Sequence, residues 1–235
     1  MMHHHLGTPK PDKGMRTPSV LLALACVALS ATTLSAQTCL GAASFSSGLL
    51  RVGAGMGTSD GAKSYGVDMA VGAKSGGYVS GGLSRLEYRD IDGSAKSVAL
   101  GAGYAINLNP ARTVQFCPEV GYQRVSGPDI QYAGYTITTS ARAVSYGGSF
   151  GGRVAVLPAL DLVPFTGAYY VSTRATETLA IDSRSESWSY GEFDIGAGFV
   201  INKTLTLQPS VVIPFAVSGA KSTFEIGLAF NFGKH

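Results

Sequence analysis

No stretch of the 235 residues reaches the ~20 consecutive apolar residues that a membrane-crossing helix needs, so any crossing of a bilayer must be made by strands. Charge is scarce as well. Asp, Glu, Lys and Arg together make up 14% of the chain and the net charge is +3, which leaves no basic patch for nucleic acid and no acidic run for a solvating tail. Of four histidines, His3, His4 and His5 precede Met15, and only His235 remains in the body of the chain. A hydrolase with a histidine base is therefore not expected, since no serine is placed beside His235. No metal-ligand spacing, phosphate loop or dinucleotide fingerprint is present, so neither a cofactor nor an enzymatic activity is expected. Nor does any composition shift mark a second domain.

Near the start, Met15-Arg16-Thr17-Pro18 followed by the apolar run from Ser19 to Leu29 has the basic head and short greasy core of a secretory signal. Small residues then lead to cleavage after Ala36, making 1–36 a leader and signal peptide and Gln37 the mature N-terminus. A lipoprotein site at Cys26 fits worse, because it would cut the apolar run in half. The residues before Met15 read as an overextended start or a tag remnant.

What the chain has in quantity is glycine, 31 residues or about twice average usage, spread through apolar segments. The segment Phe224 to Phe232 places a large apolar side chain at every second position and a small or polar one between, so one strand face is wholly greasy. This alternation recurs in hairpin after hairpin, with no helical segment to cover it, which points to lipid as the covering. Ten strands are predicted, at 49–57, 64–74, 78–89, 96–107, 113–125, 139–157, 162–176, 186–201, 204–217 and 222–232, each bounded by turn residues. Tight turns are predicted at 107–111, 157–161 and Asn202-Lys203, and longer polar loops at 126–138 and 177–185. Tyr132, Tyr135, Arg184 and Trp188 are the loop or loop-edge candidates for binding a partner.

Parity assigns the faces. Lipid is expected to meet Val67, Met69 and Val71; Val98, Leu100 and Tyr104; Val114, Phe116, Val120 and Tyr122; and Val144, Tyr146, Phe150 and Val154. Further on it meets Val163, Phe165, Tyr169 and Val171; Phe193, Ile195, Phe199 and Ile201; Leu205, Leu207, Val211, Ile213 and Phe215; and Phe224 to Phe232. The opposite parity carries Arg51, Asp68, Glu119, Arg153, Glu192, Asp194 and Glu225, with Gln115, Gln208 and Asn231. A charge on the lipid face would cost ~2–4 kcal/mol near the midplane, so their shared parity reads as a lumen charge network. Glu119, Glu192, Asp194 and Glu225 are expected to pair there with Arg51 and Arg153 rather than serve as catalytic carboxylates. The strand at 78–89 has no clean parity, which suggests a bulge.

The signal, the glycine-rich amphipathic hairpins and the closing strand Phe224 to Phe232 resemble the small bacterial outer-membrane β-barrels, the outer-membrane protein A-like and opacity-type group. The resemblance covers most of 45–232 and is one of pattern. It implies an up-and-down antiparallel transmembrane barrel of ten strands, or eight if the first two lie outside the wall. The barrel would occupy 48–233 of the bacterial cell outer membrane, with 37–47 as a periplasmic segment. Outer-membrane lipid, lipopolysaccharide and the outer-membrane assembly machinery are the implied partners, and a monomer the implied state. In that group the last strand commonly ends the chain on an aromatic, whereas here Gly233-Lys234-His235 follow Phe232.

About ten strands enclose too little space for a general diffusion porin. A structural, adhesive or narrow-pore role is therefore expected, and a secreted soluble β-sandwich binding module is the alternative. Cys39 and Cys117 fall at the same rim of such a barrel in an oxidising compartment, which predicts a disulfide contributing roughly 4 kcal/mol by loop closure.

Overall fold

The computed structural model describes residues 39, 41, 50–73, 75–89, 93–132, 135–179 and 182–232. The signal region 1–36 and the terminal 233–235 lie outside these residues. Among them no helix is long and apolar enough to cross a membrane. The chain forms β1 (Leu50–Ser59), β2 (Ala62–Gly72), β3 (Gly77–Tyr88), β4 (Ser94–Tyr104), β5 (Ile106–Asn107) and β6 (Val114–Tyr132). It continues as β7 (Tyr135–Gly152), β8 (Val154–Leu157), β9 (Leu160–Leu179), β10 (Asp182–Ile201), β11 (Leu205–Phe215) and β12 (Thr223–Phe232). β5 and β8 are short continuations of β4 and β7. The other ten segments pair in sequence order, each antiparallel to the next.

Closure is made by β1 and β12, paired without a break from Leu50↔Phe232 to Thr58↔Phe224. β1 also pairs with β2 over its whole length, so the first two strands belong to the wall and the count is ten. A two-layer sandwich is thereby excluded. In hydrocarbon this closure is obligatory, because an open edge would leave a row of N–H and C=O groups with nothing to bond.

The turns at the rim that carries the chain ends are tight for local reasons. Asn202 and Lys203 both adopt left-handed φ angles of 50° and 60°, the geometry of a two-residue hairpin turn whose twist matches the strands it joins. Asn109 closes the β5–β6 connection by accepting from the backbone N–H groups of Thr113 and Val114, at 2.9 and 3.1 Å.

The exterior carries the apolar belt. Val67, Met69, Leu100, Val120, Tyr146, Ile195 and Phe230 are all exposed, while their neighbours Asp68, Ser97, Asp194 and Asn231 are buried inside. Two sequence expectations change here. β9 has the reverse parity: Val163, Phe165 and Val171 are buried within the barrel and Tyr169 turns in with them, leaving Leu162, Pro164, Ala168 and Tyr170 outside. β3 needs no bulge, since its pairing to β2 and β4 is continuous. Its inner face simply carries Tyr78, Leu86 and Tyr88 as bulky fillers.

A third change concerns the far rim. The described residues of the segments 126–138 and 177–185, expected as loops, are strand: 126–132, 135–138, 177–179 and 182–185. β6 and β7 pair on to Tyr132↔Tyr135, β7 and β9 to Ile137↔Leu179, and β9 and β10 to Asp182↔Leu179. β4 stops pairing with β6 at Lys96↔Ser126, and β11 stops pairing with β10 at Gly191↔Phe215. Four strands thus rise as one sheet past their neighbours, β6 and β7 by five or six residues and β9 and β10 by nine, roughly 15–30 Å of strand at ~3.3 Å per residue. The register breaks only between Ser126 and Asp129, where Pro128 has no N–H to donate and Thr139 Oγ1 bonds its carbonyl at 3.0 Å.

Val120→Arg, in the middle of the belt, is expected to lower stability by about 2–4 kcal/mol. Thr138→Arg, on the same outer face but in the tall sheet, is expected to cost less than about 0.5 kcal/mol, as for an open surface position. Denaturant unfolding in phospholipid vesicles measures both.

Candidate functional site: the lumen and the tall sheet

Inside the barrel the side chains form three levels. Nearest the chain ends, Cys39 and Cys117 are joined in a disulfide with Cα atoms 6.1 Å apart, both fully buried against Phe165 and Ala105. The linked segment lies within the wall, where the Gly41 carbonyl fills the place that a Cβ at Gly198 would take. Gly198 is thus a socket for this plug.

Glu119 organises the middle level. Its Oε1 accepts from Tyr78 at 2.7 Å and Ser149 at 3.0 Å, and its Oε2 accepts from Tyr169 at 3.0 Å. The two tyrosines reach it because glycine stands beside each ring: a Cβ at Gly103 would overlap Tyr78, and one at Gly147 or Gly167 would overlap Tyr169. Glu192 and Asp194 follow Glu119 around the wall, both buried. Across the lumen Arg51 meets Asp68 at 3.4 Å and donates to Gln208 at 3.1 Å, with Asn231 bonded to Thr206 beside them.

The arginines expected to balance the carboxylate group are therefore engaged elsewhere. Arg51 belongs to Asp68, and Arg153 is outside the lumen network altogether. The ladder of β7 stops at Gly152, so Arg153 leaves the alternation and pairs with Asp161 at 2.9 Å at the chain-end rim, its side chain 42% exposed. Glu119 is instead held by hydroxyl donors, a partner set that charge counting along the sequence did not reveal.

Apolar side chains form the third level, toward the far rim. Leu86, Ala95 and Val125 pack with Tyr88 and Ala141, while Ala143, Val171 and Tyr190 pack with Trp188 and Val217. Between this level and the disulfide plug lie two cavities of about 90 and 60 Å³. The larger is bordered by Tyr78, Glu119, Gln123, Ser145, Tyr169 and Glu192. The smaller is bordered by Arg51, Asp68, Gln208 and Glu225. Polar chambers of this size suit a few waters each.

Of the proposed partner-binding residues, Trp188 sits on the inner face of β10 within the apolar level, and Arg184 is exposed higher on that face in an ion pair with Glu186. Tyr132 and Tyr135 pair through their backbones at the tip of β6 and β7; their side chains lie outside those described. The outer face of the tall sheet is lined by hydroxyls and one carboxylate, with Asp129, Thr138, Thr178 and Ser183 in one row and Ser126, Ser140, Thr176 and Ser185 in the next. Thr176 Oγ1 and Ser185 Oγ are 2.9 Å apart.

No protein-family model and no curated protein matches the chain. Solved structures with a similar course include the N-terminal β-barrel domain of Pseudomonas aeruginosa OprF, 12% identical over 79% of this chain and 98% of that one, with a TM-score of 0.39. Ail, the attachment invasion locus protein of Yersinia pestis, is 13% identical over 79% and 99%, with a TM-score of 0.39. Neisserial surface protein A is 12% identical over 79% and 96%, with a TM-score of 0.39.

Glu119→Ala strands three inward hydroxyls and is expected to cost about 3 kcal/mol, whereas Glu119→Gln, which keeps an acceptor in place, is expected to cost less than about half of that. Guanidinium unfolding followed by the fluorescence of Trp188, the only tryptophan, distinguishes them.

Proposed function

We propose that this chain is an integral protein of a bacterial outer membrane, a sealed barrel that anchors an adhesive, four-stranded sheet at the cell surface. One observation carries the reading: β6, β7, β9 and β10 continue well past the belt as a paired sheet, while the lumen beneath holds an apolar level toward that rim and a disulfide-linked cluster toward the other. Both ends of the barrel at one rim and the taller strands at the other favour a periplasmic position for the first and an outside position for the tall sheet. A disulfide at the short-turn rim fits the oxidising compartment. Every wall strand has two partners, which leaves no backbone edge within the belt calling for a second copy and favours a monomer. Lipid and the outer-membrane assembly machinery are then the barrel's working partners. Any surface partner meets Arg184 and the tip of the β6–β7 hairpin.

Against a narrow pore stands the stacking of an apolar level over a disulfide-held plug, which would oblige an ion to shed its water twice. Planar-bilayer recording is expected to give no conductance step above leakage, and discrete steps from the intact chain would overturn the sealed-anchor reading. Shortening the β6–β7 and β9–β10 hairpins to the level of Ser126 and Gly191 is expected to leave the heat-dependent mobility in SDS unchanged. The same shortening should abolish attachment of expressing cells to protein- or glycan-coated surfaces. Attachment equal to that of the parent cells would count against the adhesive role.

A further inference from the structure

The ladder brings together three residues that the sequence holds far apart. Arg124 on β6 is directly opposite Arg142 on β7, and Arg142 is directly opposite Arg174 on β9. Even-numbered positions on these three strands face outward where the belt lies, so the three guanidinium groups stand side by side on the outer surface, all exposed. Adjacent strands are about 4.8 Å apart, and like charges directly opposite one another destabilise a sheet. Among the described residues no ion pair relieves them. The ion pairs of the described residues are Arg51–Asp68, Arg85–Glu87, Arg153–Asp161, Arg184–Glu186 and Lys221–Asp60, and none involves this row. The row's outer-face neighbours are Val98 on β4 and Ser187 on β10, and Lys96 lies one outward row higher on β4.

The height of the row identifies what relieves it. One outward step below, about 7 Å along the strands, comes the row Tyr122–Val144–Ser172, and one step further Val120–Tyr146–Tyr170. The Tyr146 and Tyr170 rings contact each other with centroids 5.2 Å apart, as amphipathic rings do where hydrocarbon gives way to headgroups. One step above the arginines begins the hydroxyl surface, with Ser126, Ser140 and Thr176. The arginines thus occupy the single level between the last apolar row and the open aqueous face, where lipid headgroups stand.

We propose that Arg124, Arg142 and Arg174 form one binding site for the phosphate groups of lipids in the surrounding outward-facing leaflet. Guanidinium is suited to this because its planar donor fork matches phosphate oxygens in pairs, and the anions would cancel the repulsion built into the row. This inference rests on the membrane reading above and adds to it a lipid class and three residues.

The test uses the full chain folded in detergent and exposed to an equimolar mixture of phosphatidic acid and phosphatidylcholine, with the retained lipids counted by native mass spectrometry. The parent protein is expected to retain phosphatidic acid over phosphatidylcholine by roughly tenfold, the equivalent of one good charged contact. R142Q should reduce that preference, and R124Q/R142Q/R174Q should bring it below about twofold. An undiminished preference in the triple variant overturns the proposal. So does displacement of the lipid by inorganic phosphate at equal concentration, which would mean a site for free anions. Heat-dependent mobility in SDS is read on every sample. If the triple variant loses it, R142Q and the charge-keeping R124K/R142K/R174K decide, with R142Q expected to lose preference and the lysine variant to keep most of it; the same preference in R142Q as in the parent overturns the proposal. Loss of heat-dependent mobility in the parent itself would instead sink the membrane reading.

Discussion

Backbone hydrogen bonding in a medium without water is the constraint on which this structure turns. Hydrocarbon offers no partner to an N–H or a C=O, so a sheet can cross it only when its first and last strands find each other. β1 and β12 do so over nine consecutive residue pairs, and both ends of the chain are consequently fixed to the same rim. Everything outside that closed ladder can face lipid because its side chains are apolar. Everything inside must be filled by the chain itself.

The filling follows from the width of a ten-strand wall. Glycines on the inner face are paired with bulky side chains, from the neighbouring strand for Gly103 with Tyr78, Gly147 with Tyr169 and Gly196 with Phe165, and from the same strand for Gly167 with Tyr169. Removing a side chain at one position is what admits an aromatic ring at the next, and the rings then carry hydroxyls to Glu119. The same device accepts the tethered Cys39–Gly41 segment over Gly198, closing the chain-end rim. Of the acidic groups in this interior, Glu119 is held by neutral donors on the β6 side and Asp68 by one arginine on the β1 side.

Beyond the belt the wall stops being symmetric. Six strands end near the membrane level and four continue, so the sheet presents an inner face with Trp188 and Arg184 and an outer face graded from tyrosine through arginine to serine and threonine. That gradient is a property of neighbouring strands in register. On any one strand it amounts to a single arginine between an aromatic and a hydroxyl.

Alternation of period two, carried by strands such as Phe224 to Phe232, was enough to establish an all-β chain, the presence of ten strands and which face of most of them meets lipid, because side chains on a strand have no choice but to alternate. β9 escaped that reading since apolar residues occur on both of its faces, and only the need to fill a lumen opposite Gly147 and Gly196 turns Val163, Phe165 and Tyr169 inward. The strand residues within 126–138 and 177–185 escaped it because polar residues occur on both of their faces, and their extended form is held by cross-strand backbone bonds that leave no periodic trace. Register decided the rest: that Glu119 meets Tyr78, that Arg153 leaves the lumen, and that Arg124, Arg142 and Arg174 stand in one line. Period tells a residue which way it points, whereas its neighbours are chosen by the offset between strands, a quantity set by turns and closure far from the residues it brings together.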